Sequence, residues 1–132
     1  MGQNIEVHIA DLVASARSEI NEISPEEIIK LQEENAIQLI DVRDVRERDR
    51  SGFIEGALHV PRGMLEFWID PDSPYHKSYF AQDNHFVFYC ASGWRSALST
   101  KTAQDMGLAP VSHIKGGFAA WVDAGGEVAV KK

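Results

Sequence analysis

Five apolar residues in a row, Phe86-Val-Phe-Tyr-Cys90, run straight into Ala91-Ser-Gly-Trp-Arg95, and this junction narrows the fold more than any other stretch of the chain. Successive side chains of a strand point to opposite faces, so an unbroken apolar run has to be covered on both. The residues that follow read as a helix from about Arg95 to Met106, stopped by Gly107. A doubly buried strand that turns through a glycine-bearing loop into a helix is a unit of an α/β parallel sheet.

The rest of the chain repeats this alternation. Ile9, Leu12, Val13, Ala16 and Ile20 are spaced for an amphipathic helix over 8–20. Ser24 predicts an N-cap, with Pro25 in the first turn and Glu27 closing a capping box, for a helix to about Glu34. Strands are expected at 37–42, ending near Asp41, at 57–60, closed by Pro61, and at 111–114. Gly116-Gly117 turns the chain into a last helix over 118–124, stopped by Gly125-Gly126. Segment 62–82 is irregular and expects one or two short helices. Its Phe67, Trp68 and Tyr75 read as core packing, with a homodimer face as the alternative. The division is an N-terminal helical extension over 1–22 and one domain over 23–132. That length can form a core without disulfides or a structural metal.

In α/β sheets ligands bind beyond the carboxyl ends of the strands, and Cys90, the only cysteine, sits at such an end. A glycine loop entering a helix lets backbone N–H groups converge on one point, which the helix N-terminus makes more positive. That field favours a thiolate over a thiol. Ser92 and Ser96 offer hydroxyl donors, Arg95 a charge at the rim, and Trp94 a pocket wall or a contact for an acceptor protein. Two chemistries suit the arrangement: transfer of sulfur through a persulfide and of phosphoryl through a cysteinyl phosphate. An inert buried cysteine, the plainer reading, leaves Gly93 and its polar neighbours without a purpose.

Other residues are assigned less. Asp41 and Arg43, at the end of an adjacent strand, are expected either to brace the loop by hydrogen bonds to its backbone or to form a plain structural ion pair. The run 41–50, four acids and four arginines, otherwise reads as a solvated, salt-bridged turn or helix. His59 with Arg62, near the end of another strand, reads as structural, with a place at the pocket rim as the alternative. His8, His76, His85 and His113 show no metal-ligand spacing and no acidic partner, and receive no role. Thirteen Lys and Arg against 20 Asp and Glu, a net charge of −7, argue against nucleic acid or an anionic membrane as partner. One cysteine gives no internal disulfide, and the charged N-terminal stretch does not read as a signal peptide, so a cytoplasmic location is expected.

Cys90-Ala-Ser-Gly-Trp-Arg95-Ser96 resembles the active-site loop of the rhodanese family, Cys-x-x-Gly-x-Arg. Asp41-Val-Arg43, Glu47, Gly52 and Gly56-Ala-Leu-His-Val-Pro61 resemble a second signature of that family, and Gly116-Gly-Phe118, Trp121 and Gly125 a third. The likeness covers about 23–128. It implies a rhodanese-like fold: a mainly parallel central sheet of about five strands with helices on both faces, here with an extra N-terminal helix. It also implies a sulfurtransferase with Cys90 as nucleophile, Ala91, Ser92, Gly93, Trp94, Arg95 and Ser96 as the persulfide- and anion-binding loop, and Asp41 and Arg43 in support. No metal or organic cofactor is implied; the expected partners are a small sulfur donor and an acceptor thiol, cyanide or protein. Phe53, Arg48 and Glu55 depart from the family pattern, as does Ala91, where many thiosulfate-using members carry a basic residue. A small phosphatase or arsenate reductase is the alternative enzyme, but such loops resemble Cys-x5-Arg, whereas four residues separate Cys90 from Arg95. A binding module without turnover is the alternative outside enzymes.

Overall fold

In the computed structural model, which describes residues 2–131, the apolar run lies at the middle of the molecule as strand β4 (Phe86–Tyr89), every residue of it buried. It is flanked by β2 (Gln38–Asp41) and β5 (Val111–Ile114), beyond which lie β3 (Leu58–His59) and β1 (Glu22–Ile23). The order is β1-β5-β4-β2-β3 and all four pairings are parallel. The register sets Asp41 opposite both Tyr89 and His59, which brings the carboxyl ends of β2, β3 and β4 to one edge.

Strand alternation divides the core in two. Phe86, Phe88 and Cys90 join Ile40, Val42, Leu65 and Ala103 on one face; Val87 and Tyr89 join Leu39, Ile28, Phe118 and Trp121 on the other. The first face is covered by α5 (Trp94–Asp105) and α4 (Leu65–Ile69), the second by α2 (Pro25–Glu33) and α6 (Gly117–Asp123). Helix α1 (Ile9–Glu19) packs on α5 through Val13 and Ala16 against Ala97. Ile9 and Leu12, which share the apolar spacing, remain about half exposed, because α1 meets a single helix and buries a narrow stripe. Segment 62–82 holds α4 and two 3-10 turns, Arg62–Met64 and Ser78–Ala81. Trp68 packs on the core, but Phe67 and Tyr75 do not: they are exposed and meet each other edge to face.

The two-residue β1 has no counterpart in the sequence reading, which divides the chain between Glu22 and Ile23, inside this strand. The second difference concerns the charged run. Helix α3 (Val45–Ser51) occupies it, and the complete capping box of the chain is here, where the Asp44 side chain accepts from Arg46 N and Glu47 accepts from Asp44 N. Ser24 caps α2 by accepting from Glu27 N, without the return bond that would complete the box.

The start of the run is not solvated at all. Asp41 and Arg43 are 0% and 2% exposed. Arg43 donates Nε and Nη2 to the two Asp41 carboxylate oxygens at 3.0 and 2.8 Å, and Nη2 also reaches Gly52 O at 2.8 Å. Arg48 adds a bond to Asp41 at 3.2 Å, and the Arg43 guanidinium lies 4.4 Å over the Phe118 ring. Charges this deep are tolerated because every partner is in place; removing one strands the other. Asp41→Ala is therefore expected to cost about 3–5 kcal/mol in chemical unfolding. Truncation of the exposed cap, Asp44→Ala, is expected to cost about 1 kcal/mol.

Candidate active site

Cys90 closes β4 with its side chain 1% exposed. Its Sγ accepts from Gly93 N at 3.1 Å and Ser96 N at 3.4 Å, and its thiol faces Ser96 Oγ at 3.5 Å. Gly93 is the N-cap of α5, with a left-handed φ of 106° that turns the loop back over the sulfur. The sulfur thus sits at the positive end of a 12-residue helix, among N–H groups with no helical partner.

The loop is fixed from below by the turn at Gly116-Gly117. Phe118 N donates to Cys90 O at 2.8 Å and Ala119 N to Ala91 O at 3.1 Å, so the first turn of α6 is satisfied by the loop's own carbonyls. At Gly117 (φ +68°) a Cβ would lie 2.7 Å from Cys90 O and 2.8 Å from Ala91 O, so only glycine admits so close an approach.

The remaining loop residues divide. Ser96 is buried and aimed at the sulfur; Ser92 is exposed, and its hydroxyl does not reach Sγ. Ala91 is half-buried, and Trp94, half exposed, begins α5 rather than lying within the loop. Ser92, Gly93 and Trp94 line a pocket of about 180 Å³ together with Arg17, Glu22, His113, Lys115 and Gly116. Arg95 does not present a free charge. Its Nη1 and Nη2 are held by the two carboxylate oxygens of Glu47 at 2.6 and 3.0 Å, a bond that keeps the Glu47 carboxyl below its ordinary pKa.

Asp41 and Arg43 are beside the loop but make no hydrogen bond to its backbone; of the two expectations, the structure carries the ion pair. Their bonds run to each other, Arg48 and Gly52, and their support reaches the loop through Phe118, on whose ring Arg43 stacks. His59 is structural, with Nε2 2.7 Å from Arg43 O.

The residue that sequence reasoning passed over is His113. Its Nδ1 lies 2.9 Å from Ser96 Oγ and its Nε2 2.8 Å from Glu22 Oε2, and Arg17 donates to the same carboxylate at 3.0 and 3.3 Å. The acidic partner stands 91 residues away in the chain, on the strand that the sequence did not suggest. One signal was available: a polar pair, Ser112-His113, inside a strand with all four residues buried. Among the described residues, no three His, Cys, Asp or Glu side chains gather as metal ligands.

Residues 24–124 match the rhodanese-like domain family. The chain is 27% identical over 107 residues to the human thiosulfate:glutathione sulfurtransferase, covering 76% of this chain and 92% of that one. It is 29% identical over 107 residues to a sulfurtransferase of Allochromatium vinosum, covering 80% and 92%. Among solved structures, a Rhodopseudomonas palustris protein described as of unknown function and a possible tyrosine phosphatase superposes with a TM-score of 0.94 at 52% identity, over 97% of this chain and 98% of that one.

The contact at Gly117 makes the reactivity of the sulfur testable through a residue that never touches it. Gly117→Ala is expected to displace the loop carbonyls, lower stability by about 1–3 kcal/mol and slow alkylation of Cys90. An unchanged alkylation rate in a folded variant would show that the loop is held elsewhere.

Proposed function

The chain belongs to the rhodanese-like domain family, and from that membership and the Cys90 geometry we propose that it is a sulfurtransferase carrying sulfane sulfur as a persulfide on Cys90. The observation that carries the reading is the pair of N–H groups converging on Sγ, from Gly93 in the loop and Ser96 in the first turn of α5, with four residues between Cys90 and Arg95. The Cys90 thiolate attacks the outer sulfur of a donor. The donor's sulfur bond breaks and the remainder leaves with its electron pair. The terminal sulfur of the new persulfide is stabilised by the amides at the start of α5, as an oxyanion is stabilised by preorganised donors. An acceptor nucleophile, a thiol or cyanide, then attacks that sulfur and releases the thiolate.

The description given to the Rhodopseudomonas protein makes phosphoryl transfer the reading to weigh against this one. A phosphate pocket needs its arginine to embrace the phosphoryl oxygens. Arg95 is instead occupied on both Nη atoms by Glu47, and the loop is one residue shorter than Cys-x5-Arg. Both features favour a single terminal sulfur over a tetrahedral oxyanion.

Incubation with thiosulfate or another sulfane donor is expected to raise the intact mass by one sulfur atom, reversed by cyanide or a thiol. Cys90→Ser should show neither change, and hydrolysis of an aryl phosphate should stay at background. Phosphatase turnover that disappears with Cys90 would reverse the assignment. Because Ala91 supplies no charge and Arg95 is neutralised by Glu47, thiosulfate is expected to bind weakly. Ala91→Arg is expected to lower its KM several-fold at low ionic strength, about 1 kcal/mol, with the gain shrinking as salt is added.

A further inference from the structure

We propose that Ser96, His113 and Glu22 form a proton relay that withdraws the Cys90 thiol proton when the sulfur acts as a nucleophile, with His113 as the base. One assignment of hydrogens satisfies every link. Cys90 Sγ–H donates to Ser96 Oγ at 3.5 Å, Ser96 Oγ–H to His113 Nδ1 at 2.9 Å, and His113 Nε2–H to Glu22 Oε2 at 2.8 Å. The carboxylate at the far end fixes the tautomer that leaves Nδ1 free to accept. The inner members are sealed: Ser96 is 0% and His113 1% exposed. Glu22 borders the pocket of about 180 Å³, where the chain of bonds meets solvent.

The transfer balances without any other reactant. As the S–H bond breaks, its electron pair stays on Sγ and its proton passes to Ser96 Oγ, while the hydroxyl's own proton moves to His113 Nδ1. The product is a thiolate beside the N–H groups of Gly93 and Ser96, and an imidazolium beside the Glu22 carboxylate. The reverse movement reprotonates the sulfur after an acceptor has emptied it.

The groups facing His113 suit a base that is neutral at rest. Burial pushes its pKa down, and the bond and charge of Glu22 from β1 offset this only in part. Burial opposes ionisation of Glu22, but hydrogen bonds from Arg17 and His113 outweigh it and hold the carboxyl below its ordinary pKa. Arg17 from α1 and Lys115 after β5 add positive charge around the same pocket, and Cys90 and Ser96 close the inner side. Arg17 and Glu22 precede the residues matched by the family, so this part of the relay comes from the N-terminal extension.

The relay rests on the sulfurtransferase reading only for the identity of the electrophile, so it is tested with a neutral one. The rate of Cys90 alkylation by iodoacetamide is followed by intact mass across pH in the native protein, His113→Gln and Glu22→Gln, with unfolding midpoints recorded for each. His113→Gln is expected to react about 10²-fold more slowly near neutral pH and to converge with the native rate at alkaline pH, where the thiol ionises unaided. Glu22→Gln, the milder change, shifts the profile in the same direction and carries the test should His113→Gln fail to fold. Profiles that superimpose, or a loss equal at every pH as a purely structural role would give, overturn the relay. Sulfur uptake from thiosulfate with superimposed profiles defeats the relay alone. A shifted profile in a protein that takes up no sulfur defeats the sulfurtransferase reading alone.

Discussion

Two backbone hydrogen bonds, from Phe118 and Ala119 to the carbonyls of Cys90 and Ala91, hold the site together. They join the end of β4 to the start of α6 at a distance only glycine permits, and so decide which way the following amides face. With the carbonyls turned down into α6, the N–H groups of Gly93 and Ser96 turn up to the sulfur. No side chain is needed to create this field. The side chains decide what approaches it and when the proton leaves.

The buried Asp41–Arg43 pair belongs to the same construction. Arg43 carries its charge into the sheet edge, is neutralised by Asp41, ties down Gly52, and lays its guanidinium over Phe118, the residue whose N–H holds Cys90 O. An ion pair replaced by apolar residues of like volume need lose no stability. This one makes three directional connections among α3, the Gly52 turn and α6, which apolar packing would not specify.

How much of this was legible in the sequence follows from the range of each interaction. The β4 run, the glycine loop and α5 are contiguous, so period, turn chemistry and capping located Cys90 and its amides. The Gly116-Gly117 turn was visible as a turn but not as the seat of the loop, since nothing local indicates what a glycine lies against. Charge spacing alone did not separate the buried Asp41 and Arg43 from the exposed Asp44 and Arg46, because burial comes from β3 and β4 on either side of β2. The polar pair Ser112-His113 stood out inside β5, but its link to Glu22 was out of reach for the same reason. A two-residue strand has no period, and its pairing with β5 exists only once the sheet has formed.

The solitude of Cys90 also bears on damage. A sulfur that acts as a nucleophile is also one that peroxides oxidise, first to a sulfenic acid and then irreversibly onward. Many such centres are protected by a neighbouring cysteine that captures the first oxidation product as a disulfide. With one cysteine in 132 residues this chain has no such refuge, so recovery depends on a thiol arriving from outside. The burial of Cys90, 1% exposed, then acts in both directions, shielding the sulfur from oxidants and restricting the thiol that would repair it.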